Sequence, residues 1–388
     1  MSMSDRIRVT HVGSLVRPPE IAELATAIEN GEPVDQTRFD QVVGSAIKDV
    51  VRHQKDVGVD IVSDGEFGKV RSWAHYVVDR LDGFEERDVE TAAGLGKDAR
   101  LFPEFYEEYF PTQKLPKRGV MAAVAPIRYI GYDAVRADIA RFKAALEGVD
   151  GIEGFLPVVA PTSAVPRHAN DYYASEEEFL FAVADAMHEE YKEIVDAGLI
   201  VQVDDAFIPY MYDIAFADKP MSDYLAWAEM QVAAVNRALE GLPEDRVRYH
   251  ICWGSFNTPH TTDVALADIV NLVTQVKAGA YCIEMANPRH AHEWKVWETA
   301  KLPAGRKLVP GCVSHSTNVV EHPELVAERL VRLAKLVGRE NLMAGTDCGF
   351  SQSPRSRRVH ESIQWAKLKA LADGARIASE ELWGKKAA

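Results

Sequence analysis

Short apolar runs that end in polar residues alternate along this chain with longer amphipathic stretches. The runs are VTHVGSL, VDIVSDGE, GVMAAVAPIRYI, GFLPVVAPTS, LIVQVDDA, VRYHICWG, AYCIEMAN, KLVPGCVSHS and NLMAGTDCG, nine strand candidates in all. Between them, SEEEFLFAVADAMHEEYKEIVDAG carries Ser175 and Glu178 at capping-box spacing and ends on Gly198, the residue that closes helices at C′. HPELVAERLVRLAKLVG places Leu325, Val326, Leu330, Leu333 and Val337 at helical period, which predicts one buried stripe. Strand–helix alternation of this kind predicts an α/β fold with a parallel sheet and helices packed outside it. Eight units close a (β/α)8 TIM-type barrel. The ninth candidate is then an edge strand, a hairpin arm or a loop. The stretch DVETAAGLGKDARLFPEFYEEYFPTQKLPKRG breaks the rhythm with Gly, Pro and charge, so residues 83–118 read as an insertion after the second strand, placed to act as a lid. Nothing else shifts composition, and residues 1–388 read as a single catalytic barrel.

Composition narrows the function. A net charge of −15 spread along the chain argues against nucleic acid or an anionic membrane as partner. No apolar run has the length of a membrane span, and the N-terminal MSMSDRIRVTHVGSL has no secretory pattern. Four cysteines in 388 residues are not a disulfide framework. The expectation is a reduced, cytoplasmic enzyme.

Parallel barrels place their chemistry at the C-terminal strand ends. There the chain sets His11 and Ser14, Asp64 and Glu66, Asp204 and Asp205, His250 and Cys252, Glu284, His315, and Asp347 and Cys348. His250 and Cys252, two apart on one strand, share a side of it. Taken alone, the pair reads more readily as core packing. Glu284 lies in an otherwise apolar strand, where an unpaired carboxylate is costly, and Cys348 ends the last strand. Together His250, Cys252, Glu284 and Cys348 form a nitrogen–sulfur–oxygen set suited to Zn2+. Cys282, one layer deeper, and Cys312 read as packing residues. Two thiolates leave zinc a poor Lewis acid for splitting water but able to hold an incoming thiol as an electron-rich thiolate. That points to alkyl transfer onto sulfur.

In their order, HVGS, DGE, QVDDA, HIC, IE, SHS and DCG resemble the catalytic barrel of cobalamin-independent methionine synthase, from about Val9 to Phe350. The resemblance implies a (β/α)8 barrel and zinc ligation by His250, Cys252, Glu284 and Cys348. It implies that Ser14, Glu66 and Asp204 hold the amino and carboxylate ends of homocysteine, and that His315 protonates the methyl donor's nitrogen. The implied partners are a small thiol and a methyl donor, either a 5-methyltetrahydrofolate or a corrinoid protein. For His315 the alternative is a rim histidine hydrogen-bonded by Ser314 or Ser316. Asp204 or Asp205 could instead cap a helix or orient His250. The chain departs from the family in having one barrel, in FGKVRSWAHY after Glu66, where the family carries Arg-Asn-Asp-Met, and in APTSAVP, which lacks a tryptophan for the pterin. Single-barrel relatives of the resembled family include zinc enzymes that open epoxides with coenzyme M, so that thiol alkyl transfer is the nearest alternative, with Arg17, Lys69 and Arg71 at strand ends where a sulfonate clamp would be sought. A metal-free uroporphyrinogen decarboxylase-like barrel is the more distant one.

Overall fold

The computed structural model describes residues 5–87, 96–113, 119–165 and 168–384. Eleven strands are described: β1 (Arg8–Val9), β2 (Ile61–Val62), β3 (Leu81–Arg87), β4 (Val120–Tyr129), β5 (Glu153–Val159), β6 (His168–Asn170), β7 (Ile200–Asp204), β8 (Val247–Ile251), β9 (Ala280–Ile283), β10 (Lys307–Val313) and β11 (Met343–Thr346). Eight of them form one parallel sheet in the order β1-β11-β10-β9-β8-β7-β5-β2. A parallel bridge between Thr10 and Ile61 joins the first strand to the last, so the sheet curls into the expected TIM-like barrel.

The ninth strand candidate is the hairpin arm. β4 pairs antiparallel with β3 and parallel with β6 in a separate three-stranded sheet. Between β3 and β4 the described residues form two short helices, Lys97–Leu101 and Pro103–Thr112, while residues 88–95 and 114–118 of the expected insertion lie outside the described residues. The helices dock on the loop after β8. The buried Asp98 accepts hydrogen bonds from the backbone N–H groups of His260 (3.1 Å) and Thr261 (2.9 Å) and from the Tyr106 hydroxyl (2.8 Å). The Tyr109 hydroxyl accepts from the Asn257 N–H at 2.8 Å.

The outer helices follow their sequence signals. Helix Glu176–Asp196 starts on Ser175, whose hydroxyl accepts from the Glu178 N–H, and Gly198 follows its end with φ of 85°. Helix Pro323–Val337 buries Val326, Leu330 and Leu333 as expected, with Ala327, Val331 and Ala334 completing the face. Leu325 belongs to the other face and is 40% exposed, because i and i+1 on a helix point about 100° apart.

Inside the barrel the strand period stacks side chains in layers. Ile61, Phe155, Ile200, Ala280, Cys282, Val309 and Met343 make an apolar floor. Above it comes a polar layer. Arg248 is fully buried, its guanidinium lies 4.0 Å from the centre of the Phe155 ring, and it donates to Thr10 Oγ1 (2.9 Å), the His11 carbonyl (2.8 Å) and Gln202 Oε1. Gln202 in turn donates to the Val12 carbonyl and to Asp204 Oδ1. One more step of two residues along β7, β8 and β9 brings Asp204, His250 with Cys252, and Glu284 to the mouth.

Candidate metal centre and active site

The ring atoms of His250 and the sulfurs of Cys252 and Cys348 gather with one ligand atom each within 4.8 Å of one another, all buried. The imidazole is pre-oriented. Its Nδ1 lies 3.2 Å from the Cys282 carbonyl, which can only accept, so Nδ1 carries the proton and Nε2 keeps its lone pair. That Nε2 is buried without a hydrogen-bond partner among the described residues. A buried, unpartnered lone pair facing two sulfurs is costly unless something electrophilic fills the space. The Cys348 thiol is held well below its ordinary range by Cys252, against the opposing effect of burial, and by His250; Cys252 is pushed up in return. A lowered Cys348 is the direction a metal ligand requires, because the thiolate is the form that binds. The donor set fits a soft divalent ion.

Glu284 stands beside this cluster rather than in it, grouped within 4.8 Å with His315 and Asp347. Its Oε2 accepts from the Trp253 N–H at 3.2 Å and its Oε1 from the Asn287 amide. Burial raises its pKa, and Cys348 adds to the effect while His290 opposes it. Asp347 Oδ1 is clamped by the N–H groups of Met285 (2.8 Å) and Ala286 (2.6 Å), which ties the end of β9 to the end of β11. Its Oδ2 has no hydrogen-bond partner among the described residues, and burial, with Glu284 adding and His315 opposing, pushes the group up to about 7. Both ring nitrogens of His315 are likewise buried without hydrogen-bond partners among the described residues, and Ser314 and Ser316 bond to each other at 3.0 Å instead of to the imidazole. Burial lowers the His315 pKa, with Cys348 and Asp347 opposing.

Ser14, Glu66 and Asp204 stand at the mouth too, Asp204 paired with His250 across β7 and β8 and Ser14 beside the Cys348 loop. Glu66 has φ of 61°, a left-handed conformation that a non-glycine residue holds only under constraint. The constraint is visible: its N–H donates to Asp64 Oδ1 at 2.9 Å, and its carbonyl accepts from Arg17 Nη2 at 2.7 Å. The strain aims a 2% exposed carboxylate into the barrel, with Oε2 unpartnered except for Lys69 Nζ at 3.7 Å. Burial pushes Asp204 up to about 7, with His250 and Lys69 opposing and Glu66 adding. Ser14 lies against Gly349. A Cβ on that glycine would sit 1.9 Å from Ser14 Oγ, so the loop holding Cys348 reaches its place only because residue 349 has no side chain.

The chain's other chemistry falls elsewhere. Asp205 accepts from Ser163 Oγ (3.1 Å) and from the Tyr249 hydroxyl (2.9 Å), a framework role. His11 is wedged between Gln54 Oε1 (2.6 Å) and the Gly13 N–H (3.1 Å), and burial depresses its pKa to about 4. Of the three cations considered for a sulfonate clamp, Arg17 is spent on the Glu66 and Ser351 carbonyls and Arg71 on Asp79 at the surface. Lys69 donates to the Pro157 carbonyl at 2.8 Å.

The profile of the family described as "Cobalamin-independent synthase, Catalytic domain" matches residues 158–370, more than half of the chain and every motif that makes the metal-side rim. The chain belongs to this family. It is a methyltransferase of the methionine synthase type. It is 23% identical to a methionine synthase of Sulfolobus acidocaldarius over 387 residues, covering 98% of this chain and 95% of that one. A 5-methyltetrahydropteroyltriglutamate–homocysteine methyltransferase of Thermotoga petrophila is 21% identical over 390 residues, and there the match spans 44% of the longer protein. Among solved structures, a B12-independent methionine synthase from Shewanella sp. W3-18-1 has the same fold, with a TM-score of 0.71 at 20% identity over 98% of this chain and all of that one.

The barrel of this family member holds polar groups that sequence reading passed over. Asp347 was seen only as a strand-end acid; its clamp on two N–H groups of another strand leaves no trace in sequence. Arg248, adjacent to His250 in sequence pairing terms but one layer below it, could have been found from the period of two. The buried chain His260–Asp263–His290–Glu293 joins loop residues whose meeting depends on how those loops fold back. Among the described residues no helix is long and apolar enough to cross a membrane.

Proposed function

We propose that this protein is a zinc-dependent S-methyltransferase that methylates a small thiol, homocysteine first, with a 5-methyltetrahydrofolate-type or corrinoid donor. The observation that carries this reading is the orphaned His250 Nε2 facing the Cys252 and Cys348 sulfurs, with its tautomer set by the Cys282 carbonyl. His250, Cys252 and Cys348 would hold the ion, with Glu284 alongside as a fourth ligand that an incoming thiol can displace. Zinc bound there supplies positive charge that keeps a substrate thiol ionised at neutral pH while two thiolate ligands leave its sulfur electron-rich. The same orphaned nitrogen favours this reading over a metal-free decarboxylase-like barrel.

The chain's own groups divide the remaining work. Glu66, held strained with no hydrogen bond to Oε2 among the described residues and Lys69 3.7 Å away, and Asp204 take the ammonium group of an amino-acid thiol, and Ser14 takes its carboxylate end. Burial of all three excludes water from the reacting sulfur. A donor amine is a poor leaving group as an anion, so a proton must reach its nitrogen as the methyl departs. His315, with neither ring nitrogen hydrogen-bonded among the described residues, would deliver it. Residues 83–118 act as the lid of a single barrel unit spanning 1–388. Four free cysteines suit a cytoplasmic setting.

The test is zinc analysis of the purified protein combined with mass spectrometry of thiols, using homocysteine and coenzyme M against 5-methyltetrahydrofolate, a methylcorrinoid and an epoxide. About one zinc per chain and S-methylated homocysteine are expected. His315→Asn should keep the zinc and lower kcat by about a hundredfold to ten-thousandfold. A metal-free, folded wild type, or zinc with no thiol alkylated by any donor, overturns the proposal.

A further inference from the structure

The segment after Cys348, SQSPRSRRVH, carries three arginines and no acid in a chain of net charge −15. Their surroundings differ. Arg355 is neutralised by Glu29 at 2.9 Å and bonded to Asn30 Oδ1. Arg357 is exposed and has no ion pair among the described residues. Arg358 is turned inward, where burial depresses its pKa and Cys348 and Tyr109 oppose the effect.

Every hydrogen-bond partner described for Arg358 is neutral. Its Nε donates to Gln352 Oε1 (2.9 Å), its Nη1 to Gln113 Oε1 (3.1 Å) and its Nη2 to Ser255 Oγ (3.3 Å), and the guanidinium lies 4.9 Å from the centre of the Phe256 ring. Those partners come from three places: the loop after Cys348, the end of the insertion helix Pro103–Thr112, and the loop after Cys252. The charge therefore sits where the two cysteine loops meet the insertion, fixed in place with no carboxylate partner among the described residues. The Gln352, Gln113 and Ser255 bonds engage three of its five N–H donors and Tyr109 adds a further side-chain contact, and a planar guanidinium held this way is shaped for a carboxylate or another oxyanion. Partial burial without a carboxylate is a cost that the fold alone does not require.

Charges of both signs line the mouth, with Lys69 beside Glu66 and the carboxylates of Glu284 and Asp347 near the ends of β9 and β11. Glu66, Asp64 and Asp204 line the side of β2 and β7, and Arg358 stands on the side of β8, β11 and the insertion. An amino-acid thiol anchored by its ammonium at Glu66 keeps its own carboxylate on that same side, because both groups hang from one carbon.

Building on the proposed thiol methyl transfer, we infer that Arg358 recognises an anionic group on the second substrate, the methyl donor, and so sets donor specificity. The ligand chemistry is a carboxylate or comparable oxyanion carried by the donor, seated between the insertion and the two cysteine loops.

The test uses the zinc-loaded enzyme with 5-methyltetrahydrofolate and its uncharged dimethyl ester as donor probes, and coenzyme M and 2-mercaptoethanol as a charged and an uncharged thiol, all read by calorimetry. Arg358→Gln should weaken the diacid at least tenfold and leave the ester and both thiols unchanged, while Arg358→Lys recovers part of the loss. If Arg358→Gln weakens diacid and ester alike, the residue only props the insertion, and the inference fails. If it weakens coenzyme M but not the diacid, the oxyanion belongs to the thiol, and the inference fails. Equal binding of the diacid by wild type and variant, or none by either, also overturns it. Because binding is measured without turnover, these outcomes are separate from failure of the methyltransferase proposal, which shows as absent zinc or absent thiol alkylation.

Discussion

Two buried polar clusters lie on either side of Trp253 and obey opposite rules. Toward the barrel axis, the Trp253 N–H donates to Glu284, and the groups beyond it are short of partners: His250 Nε2, both nitrogens of His315 and Asp347 Oδ2. Toward the loops, the Trp253 ring stacks on His290 at 4.0 Å, and there the hydrogen bonds close on one another. His290 bonds Glu293 at 2.8 Å and Asp263 at 2.9 Å; His260 bonds Asp263 at 3.0 Å and the Phe256 carbonyl at 3.1 Å. The Glu293 carboxylate also accepts from the Leu266 N–H at 2.7 Å. Both clusters are rich in histidine and acid, so residue type does not separate them. Satisfaction does. A buried network with every member paired rigidifies a fold, whereas one that leaves lone pairs facing a common point is shaped around something else.

The comparison breaks most sharply at the cysteines. Cys252→Ser and Cys348→Ser should each lower zinc affinity by more than about a hundredfold and abolish methyl transfer, with the apo protein unfolding at nearly the wild-type denaturant concentration. Metal analysis after dialysis reads this directly, and a variant that keeps stoichiometric zinc would erase the distinction drawn here. Asp263→Asn should do the reverse. It strands the buried His290 and the partly buried His260, costing about 3 kcal/mol in urea unfolding while zinc content stays at wild type.

The same network has a pH signature. Although burial opposes it, Asp263 holds His260 at about 9, and Asp263 with Glu293 holds His290 at about 9. Both values lie above the ordinary 6.5, so this contribution to stability is complete below pH 6.5 and is lost as pH rises through 9. Unfolding midpoints measured from pH 6.5 to 10 should fall in the wild type and flatten in Asp263→Asn. An unchanged slope in the variant would assign the loss to other groups.

Smaller effects sharpen the boundary. Gly349→Ala puts a Cβ against Ser14 and should cost about 1–3 kcal/mol, with weakened zinc binding because the Cys348 loop must shift. Arg71→Gln removes a surface pair with Asp79 and should change stability by less than about 0.5 kcal/mol, with zinc binding untouched. A larger loss there would mean that segment 69–80 supports the site more closely than its exposure suggests.

Much of this molecule was legible before any coordinates. The period of two along VRYHICWG and AYCIEMAN put His250, Cys252 and Glu284 on inward positions near strand ends, and a barrel gathers such positions by construction. Capping chemistry at Ser175 and Gly198 marked a helix to the residue because those bonds are local. The helix at 323–337 was legible as a helix, but Leu325 was misassigned to its buried face, since an apolar residue beside the stripe looks like part of it. β4 had strand composition in full, yet its partner was β3 across the insertion, and pairing is a long-range property.

What the sequence determined by itself is therefore the repeating βα architecture and the identity of the groups at the strand ends, because both follow from local periodicity. What only the tertiary structure decided is which of those groups go unpaired. Cys282 carbonyl fixing the His250 tautomer, Asp347 clamped to the end of β9, Asp263 shared by two histidines and Arg358 left among neutral partners all join residues distant in the chain. Hydrogen-bond satisfaction is a property of the folded neighbourhood, and it is the property that separates a site from a scaffold here.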